Sequence, residues 1–270
     1  MAEDKPYRCG IVLGGGGTRG FAHLGVLKAL EEKGIKPDII SGVSAGAIAG
    51  AFIANGISPE DTLNIMKSHR LFDFTTFQLP KTGLLNFDKL SAHLRKHLGD
   101  MNLEDTPIPF IVTTTDLLKG KVRYFKKGNL ADIIQASASI PVLFSPVKLE
   151  DSYYVDGGVF SNTPIAPLLG LCEKIIVINI SPLDSIETPG NIRDIAARTF
   201  QLSVNASNLL ARDSCDLYIE PEGLANFPIL DSSRADELYQ IGYNYTAALE
   251  IDLFEKQNLW SKLGNFFKSE

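Results

Sequence analysis

The amino-acid sequence predicts an α/β protein in which a mostly parallel central sheet carries helices on both faces. From residue 9 onward, short apolar segments typical of buried strands alternate with longer segments of helical periodicity. This βαβα alternation is typical of parallel sheets. The chain has 270 residues, of which 44% are hydrophobic, so it is long enough to bury a large core. We therefore expect one domain over residues 1–270.

Each predicted element follows from a local pattern. The strands are short apolar runs; the run at 174–180 (KIIVINI) is continuous and suits a central strand, and Lys119-Gly120 supplies the turn of a hairpin. The helices follow from 3.6-residue periodicity. The predicted elements are strand 9–13, helix 18–33, strand 38–41, helix 45–55, helix 88–98, strands 109–115, 121–125, 153–155 and 174–180, helix 192–212, strand 216–219 and helix 235–253.

Charge and cysteine content exclude several classes of protein. The 26 basic residues against 32 acidic ones give a net charge of -6, which argues against a nucleic-acid partner. The three cysteines are odd in number and far apart, so they predict neither a disulfide framework nor a zinc site. Residues 1–10 are polar, and no run of about 18 apolar residues follows. We expect a cytoplasmic protein that is soluble or peripheral to the membrane.

The sequence GGGGTRG, residues 14–20, directly follows the first predicted strand. Its Gly15, Gly17 and Gly20 match the dinucleotide pattern G-x-G-x-x-G, and Asp38 lies about where that motif has its ribose-binding acid. A plain tight turn is another interpretation. In either a dinucleotide site or an esterase, backbone N–H groups at a helix N-terminus would hold a negatively charged oxygen.

A nucleophile elbow is predicted at GVSAG, residues 42–46, between the second strand and an alanine-rich helix. In G-x-S-x-G, here Gly42, Ser44 and Gly46, the glycines leave room for a strained turn that presents the serine oxygen. Ser44 is therefore the candidate nucleophile. Hydrolases of the Ser, Asp, His order need a late histidine, but no histidine follows His97.

A carboxylate is the candidate base in place of histidine. Asp156 comes directly after the apolar segment 153–155 and before Gly157 and Gly158, so it would emerge at a strand end. Asp-Gly alone is also an ordinary turn signal. Because neighbouring parallel strands end side by side, the glycine loop should lie beside the serine, which favours an oxyanion hole over a dinucleotide site.

These three motifs, GGGGTRG, GVSAG and DGG, resemble in this order the patatin-like phospholipase family. The segment 138–141 (ASIP), together with Phe144, Pro146, Asn162 and Pro164, is also similar to bacterial members. The resemblance covers about residues 8–180; the helical part at about 191–270 has no match that we would name.

The resemblance implies a three-layer α/β/α sandwich with a serine–aspartate dyad. The matching positions here are Ser44 and Asp156, and the amides of Gly15, Gly16 and Gly17 would form the oxyanion hole. Members of the family hydrolyse acyl esters of lipids, and some transfer the acyl group. We therefore expect a hydrolase of phospholipid or lysophospholipid esters that needs no cofactor or metal. An acyltransferase and a non-catalytic nucleotide-binding module are the alternatives.

Several basic side chains have more than one interpretation. Arg19 lies in a first helical turn, where the helix dipole disfavours a cation. It would brace the glycine loop, meet an anionic head group, or pair with a carboxylate. His23, one turn later, is interpreted as a buried histidine with a backbone partner. His93 and His97 have a possible ligand spacing, but the leucine stripe 90, 94, 98 predicts that both face solvent, and His69 is expected at the surface.

Three segments raise the question of lipid contact. Residues 71–85 would line an acyl groove, act as a lid, or simply pack on the sheet. The apolar and basic C-terminal residues around Trp260 would lie on a membrane or dock on the protein itself. A basic cluster on the predicted hairpin would attract phospholipid head groups or only solvate a sheet edge. The cluster is Lys119, Lys121, Arg123, Lys126 and Lys127. The sequence predicts no oligomeric state.

Overall fold

The structure is a computed structural model that describes residues 5–68, 76–77, 85–183, 188, 192, 195, 198–199, 202 and 208–254. The strands are β1 Tyr7–Leu13, β2 Ile39–Val43, β3 Thr76–Phe77, β4 Leu85–Asn86, β5 Phe110–Asp116, β6 Lys121–Phe125, β7 Val147–Leu149, β8 Ser152–Asp156, β9 Cys172–Ile178 and β10 Leu217–Ile219. The helices are α1 Phe21–Glu32, α2 Ala45–Ala54, α3 Pro59–Lys67, α4 Asp88–Leu98, α5 Leu130–Ser137, α6 Asn208–Ser214 and α7 Ala235–Ala248.

The central sheet has the strand order β10-β9-β1-β2-β5-β8-β7, and β6 also pairs with β5. The strands from β10 to β5 are parallel, whereas β6, β8 and β7 are antiparallel to their neighbours. Strands β3 and β4 form a separate antiparallel pair. The predicted mostly parallel sheet is confirmed, as is the predicted hairpin of β5 and β6. The antiparallel pairing of β8 with β5 and of β7 with β8 was not predicted.

Helices cover both faces of the sheet. Successive side chains of a strand point to opposite faces, and in β1 Ile11 and Leu13 enter one apolar core while Val12 enters another. The larger core takes side chains from α1, α2, α4, α5 and α7, and the smaller one takes side chains from residues 165–172 and from α6. The three-layer α/β/α arrangement is thus confirmed.

The last described helix, α7, packs on α1 with almost no side chain between the two backbones. A side chain at Gly25 of α1 would run into the carbonyl oxygen of Tyr239, and one at Gly242 of α7 would run into that of Ala22. Only glycine permits this approach. The part of the chain beyond the family resemblance therefore contributes to the main core.

Strand β5 brings two other strands together end to end. Along one edge, Thr113 of β5 pairs with Val43 at the end of β2, and Thr114 pairs with Asp156 at the end of β8. Strand β6 pairs with the same stretch of β5, from Val112 to Asp116. Because a strand has only two edges, β6 must occupy the one opposite β2 and β8. The last residues of β2 and β8 therefore meet.

Some predicted boundaries differ from the structure. The helix predicted at 18–33 begins as a 3-10 turn, Gly17–Gly20, before α1. Helices α3 and α5 and strand β7 were not predicted. The predicted helix 192–212 is helical at each of its described positions and ends in α6. His69, most of segment 71–85 and the residues after 254 lie outside the described residues. No helix in the described part of the chain is long and apolar enough to cross a bilayer.

Candidate functional site

Ser44 occupies a strained turn between β2 and α2. Its backbone angles, φ 52° and ψ -122°, lie in a region that costs about 1–3 kcal/mol for a residue with a side chain. Its carbonyl oxygen accepts the N–H groups of Ala47 (2.9 Å) and Ile48 (3.1 Å), which starts α2. Ser44 therefore lies at a helix N-terminus, where the dipole favours negative charge.

The two glycines of the elbow make room for this turn. A side chain at Gly46 would collide with the carbonyl oxygen of Leu13, where α2 crosses the end of β1, and one at Gly42 would press on the carbonyl of Gly46. The supporting role predicted for both residues thus has a physical basis in close packing.

The end of helix α5 contacts both halves of the site. The hydroxyl of Ser137 donates to the carbonyl oxygen of Thr113 (2.7 Å) and accepts the N–H of Ser44 (2.9 Å). The carbonyl oxygen of Ser139 accepts the N–H of Asp156 (2.9 Å). Sequence reasoning used this segment only as part of the family resemblance. The signal that it missed was a pair of serines, two residues apart, within an otherwise apolar segment.

Asp156 is a fully buried carboxylate beside Ser44. Its Oδ1 accepts the N–H of Gly158 (2.7 Å), while Oδ2 has no hydrogen-bond partner within the described residues. Burial raises the pKa of Asp156 to about 7, more than the Ser44 hydroxyl and the Gly158 N–H lower it as hydrogen-bond donors. The Ser44 hydroxyl is therefore close enough to the carboxyl group to lower its pKa, although it completes no hydrogen bond to Oδ2. A side chain at Gly157 would strike the carbonyl oxygen of Thr113.

The glycine loop lies against the elbow, but not all of its N–H groups point to open space. The N–H of Gly14 donates to Ile178 (3.0 Å) and that of Gly15 donates to Asn162 (3.1 Å), both to carbonyl oxygens. Within the part of the chain that the structure describes, no hydrogen bond uses the N–H of Gly16 or Gly17. The prediction of three donors therefore needs a correction, because the Gly15 N–H is already engaged.

Arg19 and Thr18 fasten the glycine loop to residues 225–229. The Arg19 guanidinium donates to the carbonyl oxygens of Phe227 (2.8 Å) and Ala225 (3.1 Å), and the Thr18 N–H donates to that of Ile229 (2.9 Å). The Arg19 side chain is buried. Of the three interpretations, bracing of the loop fits this geometry; a buried guanidinium bound to main-chain oxygens is not placed to meet a head group.

An apolar cleft begins at Ser44; its cavity volume is about 90 Å³, and about 730 Å³ when the open solvent at its mouth is included. Gly17 lies in its wall, and Phe87 and Phe144 stack with ring centroids 4.4 Å apart on another side. The other large apolar side chains of the wall are Phe21, Leu24, Ile48, Met66, Ile140, Ile229 and Leu230. Sequence reasoning did not identify this wall, because its residues come from six separate segments of the chain.

The match to known proteins agrees with the three motifs. The family model for patatin-like phospholipase matches residues 11–169, which include the glycine loop, the elbow and Asp156. The chain belongs to the patatin-like phospholipase family.

Among curated proteins, this patatin-like chain is similar to fungal and mycobacterial ones. Lysophospholipase NTE1 of Coccidioides immitis is 29% identical over 87% of this chain and 17% of its own length. An uncharacterized NTE family protein of Mycobacterium tuberculosis is 35% identical over 63% of this chain and 48% of its own length. The chain thus spans less than a fifth of the fungal relative and about half of the mycobacterial one.

Among solved structures, the patatin-like chain is similar to VipD from Legionella pneumophila. That comparison has a TM-score of 0.49 and 18% identity, and it covers 89% of this chain and 66% of VipD.

His23 lies beneath the glycine loop of this patatin-like chain. It is fully buried, and its Nε2 is 2.8 Å from the carbonyl oxygen of Gly14. Burial lowers the pKa of His23 to about 4, more than the hydrogen bond to Gly14 raises it. The ring is therefore neutral near pH 7, and its Nε2–H donates to Gly14. The interpretation as a buried histidine with a backbone partner is confirmed.

The expectation that His93 faces solvent was wrong. His93 is only 7% exposed, whereas His97, 4.5 Å away between ring centroids, is exposed. The buried face of α4 is wider than the leucine stripe, because the helix packs on α5 and buries Ser91 and His93 as well. No group of three or more histidine, cysteine or acidic residues in the described ranges is placed to hold a metal ion.

Asp38 is not placed to serve a nucleotide at the glycine loop. Its Oδ2 accepts the N–H of Cys9 (2.8 Å), and it precedes β2, whereas the loop follows the end of the parallel strand β1. Because β1 and β2 run parallel, Asp38 and the glycine loop lie at opposite ends of these two strands. The dinucleotide interpretation thus lacks its acidic residue.

Proposed function

We propose that this protein is a serine acyl hydrolase that cleaves an acyl ester of a phospholipid or lysophospholipid, with Ser44 as nucleophile and Asp156 as base. One observation carries the proposal: β5 brings the ends of β2 and β8 together, so that a serine in a strained turn, open to an apolar cleft, lies beside a buried carboxylate. We propose that the whole chain forms one catalytic domain.

In the proposed mechanism, Asp156 takes the proton of the Ser44 hydroxyl as the Ser44 Oγ attacks the ester carbonyl. The oxyanion that forms is held by the N–H groups of Gly16 and Gly17. Collapse of this tetrahedral intermediate breaks the bond between the acyl carbon and the alcohol oxygen. The alcohol leaves with the proton from Asp156, and an acyl-enzyme remains. Asp156 then takes a proton from water, which attacks the acyl-enzyme, and the proton returns to Ser44 as the fatty acid leaves.

The oxyanion donors and the general base are expected to contribute to the rate by similar amounts. One oxyanion donor typically lowers a barrier by about 2.7–4 kcal/mol, and a positioned base typically contributes about 10²–10⁴ in rate. An aspartate with an ordinary pKa is a weak base near neutral pH, but burial raises the pKa of Asp156 to about 7. That value suits proton transfer at neutral pH.

The cleft supports an acyl chain as the group that is bound. Its wall is almost wholly apolar, and Ser44 lies in it, so burial of methylene groups would supply binding energy at about 0.8 kcal/mol each. The fungal relatives carry the name lysophospholipase. An acyltransferase would share the acyl-enzyme and differ only in the acceptor, an alcohol in place of water.

Labelling with a fluorophosphonate tests the nucleophile. We expect the wild-type protein to bind one probe covalently, the labelled peptide to contain Ser44, and a lysophospholipid to slow the reaction by competition. Ser44→Ala should not be labelled. A probe on another serine, or saturable binding of NAD(H) or ATP without labelling, would contradict the proposal and favour a nucleotide-binding module.

A larger side chain in the cleft should shift the substrate preference toward esters with shorter acyl chains. Met66 lines the cleft from α3, and its side chain is only partly buried, so Met66→Trp should narrow the cleft without rebuilding the core. We expect kcat/KM for a 16-carbon acyl ester to fall about 10-fold or more, and that for a 4-carbon ester to change less than about threefold.

Asn64→Trp is the matched control, because Asn64 is exposed on the same helix. It should leave both esters unaffected. An equal loss for long and short esters in Met66→Trp would argue against an acyl site in this cleft.

A further inference from the structure

Residue Ser137 has no part in the proposed chemistry, yet it is fully buried and its hydroxyl contacts both β5 and the Ser44 turn. Its hydroxyl hydrogen is committed to the carbonyl oxygen of Thr113, which fixes the direction of its lone pairs. One of these accepts the N–H of Ser44. Thr113 is also the residue of β5 that pairs with Val43, directly before Ser44. Ser137 thus closes a ring of hydrogen bonds around the entry to the elbow.

The elbow needs support on that side. Helix α2 fixes the carbonyl of Ser44 through the N–H groups of Ala47 and Ile48, but these bonds leave the preceding peptide free to rotate. The bond to Ser137 restrains that peptide. Since the positive φ of Ser44 is costly for a residue with a side chain, loss of the restraint would let the turn relax and carry the Ser44 hydroxyl away from Asp156.

The same end of α5 also fixes the base. The main-chain carbonyl of Ser139 accepts the N–H of Asp156, so one short segment restrains the backbone at both reacting residues. From this geometry we infer that Ser137 is a positioning residue, whose hydroxyl fixes the Ser44 turn so that the Ser44 hydroxyl stays beside Asp156. The inference rests on the proposed function, because it concerns the geometry of that dyad. It also means that the Ser44 N–H is engaged and does not serve the oxyanion.

A matched pair of variants tests the inference. Ser137 and Ser139 are both fully buried, but the hydroxyl of Ser139, which lies just beyond α5, donates only to the last turn of that helix, to the carbonyl of Gln135 (2.8 Å). Ser139→Ala removes that hydroxyl and keeps the carbonyl that holds Asp156. We expect the two alanine variants to lower Tm by similar amounts, since each loses one buried hydrogen-bonded hydroxyl.

Activity should separate the two variants. For Ser137→Ala we expect kcat for a soluble ester, and the rate constant of fluorophosphonate labelling, to fall about 10- to 100-fold, with KM changed less than about threefold. For Ser139→Ala both should stay within about threefold of wild type. Ser137→Thr keeps the hydroxyl and should restore most of kcat.

If Ser137→Ala does not fold, Ser137→Cys provides the measurement, because a thiol fills the space and is a weaker hydrogen-bond partner; an intermediate loss of labelling rate is expected. Equal labelling rates in the Ser137 and Ser139 variants would overturn the inference while leaving Ser44 as nucleophile. Wild-type protein that is not labelled at Ser44 would overturn the proposed function, and the inference with it.

Discussion

Replacing Ser44 with alanine is expected to lower kcat/KM for a lysophospholipid ester by on the order of 10⁴-fold or more, because the proposed acyl-enzyme forms on the Ser44 oxygen. Ser44 lies at the start of α2 and is buried except for its access to the cleft. The alanine variant loses one hydroxyl and should fold normally. Release of fatty acid, followed by mass spectrometry, measures the effect.

Replacing Asp156 with asparagine should have a smaller but still large effect, about 10²–10⁴-fold on kcat. An amide has the shape of the carboxylate and its oxygen can keep the bond from Gly158, which is 2.7 Å long in the wild type. It cannot accept the serine proton. The loss of activity would therefore report basicity rather than a change of shape.

Asp116→Asn is the matched control for that variant. Asp116 is another buried aspartate, at the end of β5, but its Oδ1 accepts hydrogen bonds from the Ser152 hydroxyl (2.6 Å) and from the N–H groups of Leu118 and Lys119. Those partners lower its pKa, with the Ser152 bond as the largest cause. We expect this variant to lose stability and keep its kcat. Near wild-type kcat in Asp156→Asn would refute the assignment of Asp156 as base.

The dependence of activity and stability on pH should expose the unusual state of Asp156. As base, Asp156 must be ionised, and burial raises its pKa to about 7. We therefore expect kcat/KM to rise with pH through a single ionisation near 7 and to fall about tenfold per pH unit below it. A rate that is flat from pH 5 to pH 8 would exclude a base of this kind.

Stability should respond to the same group in the opposite direction. In the unfolded chain Asp156 ionises near 3.8, whereas in the native state it stays protonated to about 7. Between these values the native state binds the extra proton, so raising the pH favours unfolding, by up to about 4 kcal/mol over the whole interval. Above pH 7 the cost stays constant.

Asparagine cannot ionise, so the Asp156→Asn variant lacks this free-energy cost, and its difference from the wild type measures the cost. Asp156→Asn should match the wild type in free energy of unfolding near pH 4 and exceed it increasingly up to pH 7. His23, whose pKa burial lowers to about 4, stabilises the native state as the pH rises from about 4 to its ordinary value of 6.5, and this effect is present in both proteins. Urea unfolding of the two proteins across pH 4–8 measures the difference. A difference independent of pH would show that Asp156 has an ordinary pKa.

The sequence by itself determined the candidate residues of the site and the chemistry proposed for them. The glycine loop, the G-x-S-x-G elbow and the Asp-Gly-Gly triplet are local patterns, and each is associated with a turn at the end of a strand. Such turns can be predicted from one short segment, because local backbone sterics depend only on neighbouring residues. The positive φ of Ser44 and the burial of His23 follow from such patterns. The alternation of apolar runs and helical periods likewise determined the fold class.

Only the tertiary structure decided how these parts meet. The antiparallel pairing of β8 with β5 places Asp156 against the end of β2, and no local pattern specifies which edge of β5 a distant strand will occupy. The same holds for the apolar cleft, built from six separate segments, for the Ser137 hydrogen bonds, and for the engagement of the Gly15 N–H. Each depends on contacts between residues far apart in the chain, which form only when the whole core packs.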